Sequence, residues 1–131
     1  MKFIISLVIF TTFIAVSGQS LSGSKWIYKV ANSCFDTIKF NSNYKLEDYS
    51  CELNYTFKGS YSITGRIVTL IEKDDSHNED GGKITFYKLK FKFEGDSLYP
   101  ISNEEFSNGR WRKISKSLIE NTVFYKVKNV K

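Results

Sequence analysis

The chain has 131 residues, a formal net charge of +5 and 16% aromatic side chains. That length allows one domain with a modest core, and so small a basic surplus favours solubility over a nucleic-acid partner. Two cysteines and one distant histidine, His77, are too few ligands for a zinc site. No cofactor motif is present, so no cofactor is expected.

Met1 and Lys2 open the chain, and Phe3 to Val16 is an apolar run of 14 residues ending in Val16-Ser17-Gly18. This is the layout of a signal peptide over residues 1–18, cut near Gly18; a cut after Ser17 is the alternative. A membrane anchor, the rival reading, needs roughly 18 to 20 apolar residues, so stable membrane insertion is not expected. The domain then runs from residue 19 to 131 and is exported, to the periplasm or beyond; oligomeric state is left open. Its 113 residues hold 18 aromatics, a supply suited to pleated sheet. An even cysteine count in an exported chain predicts a disulfide between Cys34 and Cys51, worth roughly 3 kcal/mol. Two free buried thiols are the alternative.

From Trp26 onward the apolar period is two. A first strand is expected at Trp26 to Val30, with Trp26, Tyr28 and Val30 on one face, and a second at Cys34 to Phe40. Tyr44 to Leu53 makes a third, interrupted by charge at Glu47-Asp48. The clearest alternation puts Leu53, Tyr55, Phe57, Gly59, Tyr61 and Ile63 on one face, with Gly59 marking a bend or bulge. Gly65-Arg66 supplies a hairpin turn, and Ile67 to Ile71 a return strand, apolar on both sides and expected to be well buried. Glu72 to Gly82 reads as a polar loop. Lys83 to Glu94 is the next long strand, and Ser97 to Tyr99 a short one stopped by Pro100. Ser102 to Ser107 is expected as a helical turn, and Asn108-Gly109 as a tight turn. Thr122 to Val127 closes the chain.

Eight or nine short strands joined by hairpins predict an all-β fold, a small antiparallel meander barrel of about eight strands with one disulfide. The run Phe57-x-Gly59-x-Tyr61-x-Ile63-x-Gly65-x-x-Val68-Thr69-Leu70, after an early tryptophan strand, resembles the small lipocalin-like proteins exported by Bacteroidetes-type bacteria. The resemblance implies a barrel whose early tryptophan closes one end beneath a late arginine, here Trp26 with Arg110 or Arg112. The mature chain is several tens of residues shorter than true lipocalins, and Gly23-Ser24-Lys25-Trp26 carries one residue more than their Gly-x-Trp opening.

Three constellations could carry chemistry. The loop with Asp74, Ser76, Asn78 and Asp80 is rich in oxygen ligands, but Glu79 stands where a calcium loop needs glycine, and a solvated loop is expected. Lys88, Lys90 and Lys92 form a basic stripe, read as barrel exterior. The inward face is the best candidate: Trp26, Tyr55, Phe57, Tyr61, Tyr87, Phe91 and Tyr125 would line a barrel just wide enough to fill itself or hold one small ligand. With no nucleophile and base in sight, an enzyme is not expected. The leading expectation is an exported binding protein for a small hydrophobic or amphipathic ligand. The other is a filled barrel that binds a protein or envelope glycan through its surface.

Overall fold

The computed structural model describes residues 21–76, 82, 84–114 and 122–128. The expected signal peptide, and His77, Asn78, Glu79 and Asp80 of the polar loop, lie outside the described residues.

Nine strands follow one another: β1 Lys25–Ala31, β2 Cys34–Phe40, β3 Lys45–Ser50, β4 Tyr55–Thr64, β5 Ile67–Asp74, β6 Thr85–Glu94, β7 Ser97–Ser107, β8 Arg110–Lys113 and β9 Phe124–Lys126. Each strand from β1 to β7 pairs antiparallel with the next. Strand β9 then pairs with both β7 and β1. Eight strands thus close a barrel in which each strand has a neighbour on both sides, while β8 folds back on β7 alone as an edge strand.

The local chemistry explains the path. Thr64 pairs with Ile67 across Gly65-Arg66, and Ser107 with Arg110 across Asn108-Gly109. Positive φ at Gly65 (61°), Asn108 (54°) and Gly109 (80°) gives these turns the twist that adjoining strands need. At Gly59 the expected bulge is absent, since its pairings with β3 and β5 run without a register shift. The glycine serves a close approach instead: a Cβ there would sit 1.9 Å from the Ile71 carbonyl oxygen.

Strand β5 does not stop at Ile71 but carries Glu72, Lys73 and Asp74, and Ile67 is exposed on its outward side. Strand β7 runs through Pro100 and over Ser102 to Ser107 with no helical turn. The β6–β7 register shifts between Lys90 and Phe91, opposite Pro100; an irregular point is where a residue without an N–H fits a sheet. Strand β3 ends at Ser50, leaving Leu53 exposed in the following turn.

The barrel is filled at one end only. Strands β2, β4 and β6 and their neighbours alternate in direction, so Trp26, Phe40, Leu46, Tyr61, Val68 and Leu98 meet at the end where β1 begins, each at most 5% exposed. Leu21, just ahead of β1, plugs that end at 1% exposure. Trp26 donates its indole N–H to Ser24 Oγ at 2.8 Å, so its polar atom is satisfied inside the plug. The pairing of Trp26 with Arg110 or Arg112 fails. Both arginines sit on β8, beside the far end of β7, whereas Trp26 lies across β9 from the β7 start.

Candidate functional site

The other half of the barrel is hollow. A cavity of ≈ 560 Å³ lies between Tyr28 and Val30 of β1, Asp36 of β2, Asp48 and Ser50 of β3, Phe57 of β4, Glu72 of β5, Tyr87, Leu89 and Phe91 of β6, Asn103 of β7 and Phe124 of β9. Glu52, Leu53 and Thr122 stand at its rim, and the exposure of Leu53 marks the mouth. The disulfide Cys34–Cys51 fastens this rim to the start of β2, its two cysteines 17 positions apart in the sequence. Beside it the Cys51 N–H donates to Asp36 Oδ1 at 2.8 Å, which holds the Asp36 carboxyl against the wall.

Aromatic side chains wall the cavity in two groups. Tyr28 and Phe91 each pack against Phe124, with ring centroids 5.8 Å apart in both pairs. Phe57 meets Tyr87 edge to face at 6.2 Å. These are the offset geometries that ring quadrupoles favour.

Acids stand beside these rings, Asp48 paired across strands with Phe57 and Glu72 with Tyr87. Four carboxyl residues, Asp36, Asp48, Glu52 and Glu72, line the cavity, and no lysine, arginine or histidine is among its described lining residues. The register explains how two of them meet. Leu46 of β3, Gly59 of β4 and Glu72 of β5 stand side by side on the inward face. Gly59 has no side chain to separate its neighbours, so the Glu72 carboxyl comes within hydrogen-bonding reach of Asp48. Glu72 is only 3% exposed. Burial raises its pKa well above the usual carboxylate range, and the Asp48 charge raises it further. Burial likewise pushes Asp48 up to about 6. Two charges so close in a low dielectric repel, which favours a single proton shared between the two carboxyls. Burial raises Asp36 as well.

Two acceptors remain without a donor among the described residues, Glu72 Oε2 and Asn103 Oδ1. Both side chains line the cavity. Buried polar atoms are nearly always paired, so this pair marks where a ligand or water supplies hydrogen.

Of the residues expected inside, Phe57, Tyr87 and Phe91 line the cavity. Trp26 and Tyr61 instead belong to the plug, where Tyr61 packs edge to face on Phe40 at 4.8 Å. Tyr55 bonds Asp75 at the barrel rim. Tyr125 faces outward at 57% exposure, because it pairs with outward Ile27 while its neighbour Phe124 turns in. Sequence reasoning missed Asp36, Asp48, Glu72 and Asn103. A signal existed: Val68, Leu70 and Glu72 continue one alternating face, as do Leu46, Asp48 and Ser50. The basic stripe lies outside as expected, with Lys88 over the Trp111 ring at 4.3 Å and Lys92 bonded to Glu94 at 3.0 Å.

No family model, curated protein or solved structure matches the chain. Among the described residues no group of three metal-ligating side chains comes together, and no helix is long and apolar enough to cross a membrane.

Proposed function

We propose that this chain is a non-catalytic, exported binding protein that holds one small amphipathic molecule in the open half of its barrel. The cavity carries this reading. Its ≈ 560 Å³ falls within the roughly 300–1,000 Å³ of small-molecule sites, which combine apolar walls with a few polar groups. The aromatic wall suits an apolar body, and the hydroxyls of Tyr28, Ser50 and Tyr87 with the Asn103 amide suit a polar head. The disulfide fits an oxidising compartment, which agrees with residues 1–18 acting as a signal peptide. Kinship with the small lipocalin-like proteins is part of the same reading, supported by the barrel and its order of strands.

Native mass spectrometry on protein purified from its own host without detergent tests it. A small molecule at near-stoichiometric occupancy, recovered unchanged after denaturing extraction, supports the reading. A bare mass that persists after incubation with lipids and small amphipathic compounds contradicts it. A Leu89→Trp variant, which puts a large side chain into the cavity, should lose the bound mass while keeping the fold.

A further inference from the structure

Resting on the ligand-binding reading, we infer that the molecule held in the barrel is a cationic amine, its ammonium group seated on Glu72 and Asp48 and its apolar body against Phe57, Tyr87 and Phe91. The chain as a whole carries a net charge of +5, yet its cavity is lined by four acids and no described base. The sign of the interior is thus opposite to that of the molecule. Such a site attracts a cation and rejects an anion, and a fatty acid or other carboxylate would bring like charge to buried carboxyls.

The unpaired atoms say the same in hydrogen-bond terms. Glu72, only 3% exposed, lines the cavity and leaves Oε2 with no donor among the described residues. Asn103 Oδ1, two strands away on β7, is equally without one. The site needs donors and positive charge together. An ammonium group supplies three N–H donors and one charge, and a charge-assisted bond to a carboxylate is about twice as strong as a neutral one. The ring faces of Phe57, Tyr87 and Phe91 add attraction to a cation held close to them.

Among the described residues, the groups facing the Asp48–Glu72 pair are all neutral or acidic. Asp36 comes from β2, Glu52 from the turn after β3, Tyr28 from β1 and Tyr87 from β6, with Glu105 and Asp74 beside Tyr87 toward the rim. Protons and the amine then compete for one place. Affinity should rise between pH 5 and pH 8 as the proton shared by the pair is displaced.

The test compares three near-isosteric probes by calorimetry on the disulfide-intact protein at pH 7.5: phenethylamine, 2-phenylethanol and phenylacetate. The amine should bind at least about tenfold more tightly than the alcohol, and the carboxylate more weakly than either. Glu72→Gln, which keeps shape and removes charge, should lower amine affinity about tenfold and leave the alcohol unchanged. Equal affinity for amine and alcohol, or preference for the carboxylate, overturns the charge inference while leaving the cavity as a ligand site. No binding by any of the three overturns both, since the cavity has room for each. The probe comparison needs no variant, so a folding defect in Glu72→Gln cannot obscure the answer.

Discussion

A carboxyl group buried inside a barrel is stable only as the neutral acid or beside positive charge. Glu72 and Asp48 meet the first condition in the empty protein by sharing a proton, and folding raises the pKa of both. The sign of the pH effect follows. Between the unfolded value of 3.8 and the folded value of about 6, folded Asp48 holds a proton that the unfolded chain has released. Stability is therefore lost as pH rises through that window, and Glu72, raised further, extends the loss to higher pH. Ligand-free protein should be more stable to urea at pH 5 than at pH 8, with a slope of up to about 1.4 kcal/mol per pH unit for each proton. Glu72→Gln should flatten that profile, and a flat profile in the unsubstituted protein would contradict the shared proton. Gly59 is the second decisive residue. Adding a Cβ at 1.9 Å from the Ile71 carbonyl forces two backbones apart, so Gly59→Ala should cost about 1–3 kcal/mol in chemical denaturation. The sequence marked Gly59 as special through its place in an alternating strand, but a close approach and a bulge leave the same sequence trace.

Among the elements, the contrast between the filled and hollow halves is testable by truncation. Leu98 on β7 is fully buried in the plug, so Leu98→Ala should cost about 2–5 kcal/mol. Leu89 on β6 borders empty space, so Leu89→Ala should cost well under that in the empty protein and leave the melting temperature nearly unchanged. Similar losses at the two sites would mean the barrel is packed throughout. The legible elements were those whose alternation is uninterrupted: β2 is found where the period-two pattern puts it, and β4 too except that it begins at Tyr55 and leaves out Leu53. The illegible ones were masked by chemistry that normally ends a strand. Pro100 reads as a stop, yet a register shift accommodates it. Glu72, Lys73 and Asp74 read as loop because charge marks solvent, and here an acid lies on the inward face. Tyr125 and Phe124 show a further limit: either could turn inward on pattern alone, and only pairing with Ile27 decides the face.

Across the whole molecule, the barrel separates charge, with lysines outside and carboxyls within its open half, and a disulfide holds the mouth of that half together. Reduction of Cys34–Cys51 should lower stability by roughly 2–5 kcal/mol. It should also speed amide hydrogen exchange most at residues 51–54 and at the ends of β2 and β3, leaving the plug around Trp26 slower. Barrel closure was foreseeable from hairpin spacing and the disulfide from cysteine number. The half-hollow interior was not, because it depends on which inward residues share a level of the barrel, and register sets that.

The most direct test of the central claim is amide chemical-shift mapping during titration with phenethylamine and, separately, 2-phenylethanol. A ligand in the open half predicts perturbations clustered at Tyr28, Asp36, Asp48, Phe57, Glu72, Tyr87 and Asn103, with Ile63, Val68 and Leu98 in the plug unmoved. Shifts confined to outward residues such as Ile67, Tyr99 and Tyr125, or none at saturating probe, would contradict it.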